Sequence, residues 1–235
     1  MYLHPILEGI EQCFSLFYPK LCLVCERKKP VRGEILCFAC QHKLPTTNFH
    51  LDPENALMQR FWGRLPLQAA ASLFYFIKGG RAQQLIHQLK YNHKPAVGIQ
   101  LGQSYGNRLK NSALFQHLDC IVPVPLHPKK QHQRGYNQSE TFAQGLSTSM
   151  GIPCYAHALE RGNFTQTQTR KGRLDRMKNV MEAFTLRDGK ALQGKHVLLV
   201  DDVITTGATL EACGMQLLGV KDLTLSVATI GFASG

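Results

Sequence analysis

Asp201 and Asp202 stand side by side after an apolar run, Val197 to Val200, and lead into Thr205-Thr-Gly-Ala-Thr209. Adjacent carboxylates repel a phosphate but accept hydrogen bonds well from a pair of sugar hydroxyls. A loop of small and hydroxyl-bearing residues lets successive backbone N–H groups turn toward one anion. Leu210 to Leu218 then reads as a helix, whose N-terminus places positive potential beneath that loop. The pattern therefore describes a site for a ribose 5-phosphate. Asp201 and Asp202 are its candidate catalytic pair on the sugar, with Val203, Thr205, Thr206, Gly207, Ala208 and Thr209 around the phosphate. An ordinary strand–loop–helix crossover with capping threonines is the alternative, but it explains neither the acid pair nor the repeated threonine. No Gly-Lys-Ser/Thr follows, so the loop is not of the Walker kind.

A second constellation begins at Val122-Pro-Val-Pro-Leu126 and continues through Lys129, Lys130 and Arg134 to Gly135-Tyr-Asn-Gln-Ser139. Two prolines stiffen the exit from a strand, and one of them is a candidate for a cis peptide. Lys129 and Arg134 suit a pyrophosphate, the arginine through its bidentate fork. A basic solvent loop capped by Asn137 is the other reading.

Cysteines supply a third group. Cys22-x-x-Cys25 and Cys37-x-x-Cys40 have the spacing of two clamps on one tetrahedral ion, which suits a closed structural zinc site. Two disulfides are the alternative. Nothing like a secretory signal precedes them, since Glu8 and Glu11 interrupt the apolar residues, so a cytoplasmic, reducing location is expected. Cys13, Cys120, Cys154 and Cys213 are scattered and read as buried small hydrophobes. Around the knuckle lie Arg27, Lys28, Lys29, Arg32, Phe38, His42 and Lys43, which suit either nucleic-acid contact or a solvated loop.

The elements that must hold these groups follow from periodicity. Leu3, Ile6, Leu7, Ile10, Phe14 and Phe17 predict an amphipathic helix before Pro19. Thr46 to Asn55, with Pro45 before it and Pro53 within it, reads as a linker. The expected division is 1–50 for helix and zinc module, 51–66 for a linker or hood, and 67–235 for the main domain. Strands are expected at Leu67 to Ile77, Cys120 to Val124, near Tyr155, at Ala183 to Leu186, Val197 to Val200 and Leu223 to Ile230. Helices are expected at Arg81 to Tyr91, Val97 to Lys110, Gln138 to Met150 and Leu210 to Leu218. That alternation predicts an α/β fold, a parallel or mixed sheet flanked by helices, with ligands at the carboxyl ends of its strands. No stretch reaches the length of a membrane span. A net charge of +11 points to polyanionic partners. Arg161, Arg170, Lys171, Arg173, Arg176 and Lys178 concentrate that charge in one segment.

Two apolar residues, two acids and Thr-Thr-Gly-x-Thr resemble the motif for phosphoribosyl pyrophosphate (PRPP) in type I phosphoribosyltransferases. Leu89-Lys-Tyr91, Val-Pro-Val-Pro-Leu, Arg134-Gly-Tyr-Asn-Gln138, Gln168 and Arg176-x-x-Asn179-Val180 precede it in the order found in the ComF family, behind the paired cysteines. The related GntX branch shares these motifs. The resemblance implies a type I phosphoribosyltransferase-like domain behind a four-cysteine zinc finger. It implies magnesium-dependent PRPP binding at Asp201, Asp202 and Thr205 to Thr209, and a role in natural transformation on incoming single-stranded DNA. A competence helicase of the ComFA type is the implied partner. Arg170, Lys171, Arg173 and Arg176 become candidates for a segment that closes over the site or touches DNA. Lys129-Lys130 departs from the family, where an arginine is common. A nucleobase-salvage phosphoribosyltransferase without a DNA role is the competing function. A PRPP-sensing transcriptional regulator is disfavoured, since the sequence carries no helix-turn-helix signal.

Overall fold

A computed structural model describes residues 21–162 and 183–234. The N-terminal amphipathic helix, Cys13, Gln168 and the basic residues Arg170, Lys171, Arg173, Arg176 and Lys178 lie outside the described residues. The chain divides into two compact units, Met1–Leu44 and Pro45–Gly235.

In the first unit the chain folds back on itself, with Leu23 N–H donating to Ile35 O at 3.1 Å and Cys22 N–H to Lys28 O at 2.9 Å. The short helix α1, Phe38–His42, starts directly after Cys37. Among the described residues of this unit the buried ones are Cys22, Leu36, Cys37 and Cys40, three of them cysteines.

The second unit is built on a four-stranded parallel sheet. Its strands are β1 (Ala69–Tyr75), β2 (Cys120–Pro123), β5 (His196–Ile204) and β6 (Thr224–Phe232), in the order β1-β6-β5-β2. Val197 to Val200 are fully buried, so both faces of β5 are covered, as an apolar run in a parallel strand requires. A separate antiparallel pair joins β3 (Leu159–Arg161) to β4 (Phe184–Leu186). Among the described residues the helices are α2 (Ala56–Gln59), α3 (Arg81–Tyr91), α4 (Pro95–Lys110), α5 (Pro128–Arg134), α6 (Gln138–Met150) and α7 (Ala208–Leu218).

Helices α4 and α6 meet nearly backbone to backbone. A Cβ on Gly102 would stand 2.3 Å from Phe142 O, and one on Gly145 would stand 2.1 Å from Ile99 O. Only glycine allows that approach, which seats α6 against the sheet with its N-terminus at the strand ends.

Several expectations change. Strand β5 runs on through the acid pair, because β6 continues opposite it: Asp201 pairs with Thr229 and Ile204 with Phe232. Strand β2 ends earlier than expected, at Pro123, followed by one further bond from Val124 N–H to Val200 O at 2.9 Å. All described peptides there are trans. Residues 128–134 form a helix, where a loop was expected. Pro128 opens it, His127 Nδ1 accepts from Lys129 N–H at 3.2 Å, and Gly135 at φ 78° closes it. Near Tyr155 only one bridge forms, Cys154 to Ile121.

The stretch read as a linker is packed. Thr46 bridges Phe74, Thr47 and Phe49 are buried, and Asn55 is 3% exposed. Asn55 Nδ2 donates to Phe49 O, Asp52 O and Ala70 O at 3.0, 2.7 and 2.8 Å, while its Oδ1 caps α2. One side chain thus satisfies distant backbone, which composition cannot reveal. No helix among the described residues is long and apolar enough to cross a membrane.

Candidate ribose-phosphate site and metal centre

Asp201 faces the N-terminus of α6. Its Oδ1 accepts from Ser139 Oγ at 2.8 Å and from the Asp202 N–H at 2.8 Å. Ser139 is buried and held in turn by Asn137, whose Oδ1 accepts from Ser139 N–H at 3.1 Å and whose Nδ2 donates to Val124 O at 2.9 Å. Burial and the neighbouring Asp202 charge raise the Asp201 carboxyl to about 7, against the hydrogen bonds that favour its ionised form. Asp202 is gripped by Lys90 in the last turn of α3, with Nζ 3.0 Å from both carboxylate oxygens. The two acids are therefore unlike. One is a carboxyl reluctant to ionise, and the other is paired with a cation.

Beyond the acids the chain turns through Thr205 and Thr206, both exposed, to Gly207. Gly207 is buried, sits at φ 84° and caps α7 at its N-terminal end. That backbone region is open to glycine and strained for other residues, and an added Cβ would lie 3.2 Å from the Phe61 ring. Asp201, Val203, Thr205, Thr206, Gly207, Ala208 and Thr209 line one small cavity. The structure thus brings the whole predicted loop and one of the acids to a single place, over the N-terminus of an eleven-residue helix.

The other acid borders a larger cavity through its partner. Lys90, Tyr91, His93, Lys130, Gln133 and Arg134 line a space of about 300 Å³. Arg134 donates to Gln138 Oε1 at 2.7 Å and lies 5.4 Å from the centre of the Tyr91 ring. Tyr136 Oη donates to Leu89 O, and His93 Nδ1 meets Arg134 O at 3.1 Å. These bonds lock the Leu89-Lys-Tyr91 segment to the Arg134-to-Gln138 segment. Lys129 is exposed on the first turn of α5 and does not line this space, whereas Lys130 does.

Four residues at or beside the loop escaped the sequence reading as contributors. Lys90 and Ser139 lay inside recognised motifs without an assigned role. Arg60 donates to Thr205 O and, at 2.9 Å, to Ala233 O; Arg64 donates to Thr206 O at 3.0 Å. Their i, i+4 spacing was the available signal.

In the first unit the sulfurs of Cys22, Cys25, Cys37 and Cys40 all lie within 4.8 Å of one another, and Cys25 and Cys37 are 3.8 Å apart. Tetrahedral zinc with bonds of about 2.3 Å sets its sulfurs about 3.8 Å apart. The thiols are also prepared for a cation. Burial opposes ionisation of Cys22, but the N–H groups of Cys25, Cys37 and Val24 outweigh it and lower its pKa. The N–H groups of Arg27 and Lys28 bring Cys25 to about 6. Burial and the adjacent sulfurs push Cys40 up to about 12. Four sulfurs so placed cannot all ionise without a metal among them. The donor set fits zinc.

Comparison with known proteins agrees with this geometry. The family model for the phosphoribosyl transferase domain matches residues 114–231. Competence protein F of Haemophilus influenzae is 40% identical over 218 residues, covering 88% of this chain and 95% of that protein. The DNA utilization protein YhgH of Escherichia coli K12 is 31% identical over 202 residues, covering 84% of each. Competence protein ComFC of Bacillus subtilis is 32% identical over 98 residues, 42% of this chain and 38% of that one.

Proposed function

This chain belongs to the ComF family and carries a phosphoribosyl transferase domain, and from that premise we propose that it binds PRPP with magnesium and acts on single-stranded DNA during uptake. One observation carries the PRPP reading. An acid pair at the end of a parallel strand adjoins a loop with a left-handed glycine over a helix N-terminus.

The 5-phosphate takes the N–H groups of Thr205 to Thr209, where the dipole of α7 favours an anion. The ribose hydroxyls donate to Asp201 and Asp202. Pyrophosphate occupies the cavity of Lys90, Lys130 and Arg134, whose charges match it. Asp201 and Asp202 fit a magnesium complex of PRPP, since this ion keeps few protein ligands and takes most of its oxygens from substrate and water. Bound there, the ion neutralises charge on the pyrophosphate.

Transfer at C1 of the ribose would break the bond to pyrophosphate as the acceptor forms a new one. Positive charge grows on the sugar, and the carboxylates beneath it stabilise that charge. Lys90 has two tasks, holding Asp202 in place and facing the leaving group. The DNA reading rests on the net charge of +11 and on relatives named for competence and DNA utilization. The knuckle's basic residues and Phe38, 68% exposed, suit a nucleic-acid surface. A ComFA-type helicase is the partner that such a role calls for.

Calorimetric titration with PRPP, with and without magnesium, tests the site. Magnesium-dependent binding that disappears in Asp201→Asn/Asp202→Asn is expected. No binding by folded, metal-loaded protein would leave the motif as scaffold. Salt-sensitive binding of single strands tests the DNA role, and base-dependent release of pyrophosphate without DNA binding would favour salvage instead.

A further inference from the structure

We propose that Arg60, Phe61 and Arg64 form a clasp that sets the phosphate loop in its anion-binding shape and keeps Glu211 from competing with the phosphate. The inference deepens the PRPP reading and rests on it for the identity of the ligand, but not for the state of the loop itself.

Three features of the segment after α2 converge on this loop. Arg60 donates from a single nitrogen to Thr205 O and to Ala233 O, the latter at 2.9 Å, and its guanidinium lies 4.4 Å from the centre of the Phe232 ring. The loop is thereby tied to the end of β6. Arg64 donates to Thr206 O at 3.0 Å. The Phe61 ring packs closely against Gly207, where an added Cβ would lie 3.2 Å from it. Carbonyls at successive positions are thus drawn to one side. In a short loop that leaves the following N–H groups to face the opposite side, where an anion would sit.

Arg64 has a second task. Glu211 lies in the first turn of α7, and its carboxylate is paired with Arg64, with only 14% of the side chain exposed. A carboxylate near a helix N-terminus is attracted by the same dipole that would attract phosphate. Left without its arginine, Glu211 would oppose a phosphate bound at the next turn. Arg64 therefore orders the loop and removes a rival charge, while Arg60 orders the loop only.

The two tasks separate experimentally. Hydrogen exchange of the 205–209 amides is followed in the unliganded protein, and affinity for magnesium-PRPP and for ribose 5-phosphate is measured beside it. Arg64→Gln is expected to lose about tenfold or more in affinity for both ligands, the scale of one lost charge-assisted bond. Arg64→Gln/Glu211→Gln should recover most of that loss while loop exchange stays fast. Arg60→Ala should speed exchange and weaken binding without any rescue by Glu211→Gln, and Arg60→Lys should restore little, since one ammonium bridges two carbonyls poorly. Thermal unfolding shows whether each variant folds. If all are folded and the amides exchange as in the natural protein, the clasp is wrong, whatever the ligand does. If the natural protein fails to bind PRPP yet Arg64→Gln and Arg60→Ala speed exchange, the PRPP reading falls and the clasp stands. Unchanged affinity in Arg64→Gln beside a binding natural protein would overturn the charge-shielding role.

Discussion

The four-cysteine module and the candidate ribose-phosphate site use ionisable groups in opposite ways. Among the described residues of the first unit the buried ones are largely the candidate metal ligands themselves: Cys22, Cys37 and Cys40, beside Leu36. In the second unit a sheet of largely buried strands forms the interior, and Asp201 and Asp202 lie toward the carboxyl end of its inner strand β5. Ligand and fold are therefore one problem in the module and two problems in the transferase-like unit. A small unit spends its chemistry on cohesion, whereas a larger one can hold a raised carboxyl in place with stability from elsewhere.

Breaking that contrast at its strongest point should give the largest effect. Removing zinc by chelation, or Cys37→Ala, is expected to unfold residues 21–44, because structural zinc in such peptides contributes on the order of 10 kcal/mol. Proteolysis monitored by mass spectrometry would locate the loss. Survival of an ordered first unit without metal would erase the difference between the units.

Next in size is the site itself. Asp201→Asn/Asp202→Asn should cost at least about a hundredfold in magnesium-PRPP affinity, the scale of several charge-assisted bonds. The melting temperature should hold or rise, since the change removes a carboxyl that burial disfavours. A collapse of stability in that variant would mean the acids also hold the fold together.

Gly145→Ala tests the scaffold behind the acids. Its Cβ would meet Ile99 O at 2.1 Å, a backbone atom that cannot rotate away. Destabilisation of roughly 1–3 kcal/mol is expected from such overpacking, read by denaturant unfolding, with zinc content unchanged.

Taken one pH unit at a time, the smallest effect is with pH. The Asp201 carboxyl stands at about 7 in the folded protein, raised by burial and by Asp202. The sign follows from where the proton sits. Stability from this group is full below its unfolded value of about 3.9 and is lost as pH rises through 7. Binding that uses the carboxylate runs the other way, gaining up to about tenfold per pH unit below 7 and levelling above it. In Asp201→Asn both slopes should flatten. A flat affinity profile in the natural protein would show that Asp201 binds as readily protonated.

Much of this was legible in the chain. The strand of Val197 to Val200, the helices at 81–91 and 138–150, and the loop of Thr205 to Thr209 follow from local period and residue type, which the finished fold preserves. The cysteine spacing likewise announced a cluster, since two close pairs need only one turn to meet. Other features had a local signal that composition hid. Pro128 and Gly135 bracket α5, yet the lysines and glutamines between them carry no apolar period, and no helix was expected there.

The rest required the tertiary structure. That Lys90 pairs with Asp202, that Ser139 donates to Asp201, and that Arg60 and Arg64 donate to Thr205 O and Thr206 O are facts about residues far apart in sequence. So is the packing of Thr46 to Asn55 against β1. The sequence by itself determined which groups could do the chemistry and which elements carry them, because those depend on neighbours in the chain. Which groups meet, and that Asp201 is held above the ordinary carboxyl range, was decided only when strand ends and helix termini came together and excluded water.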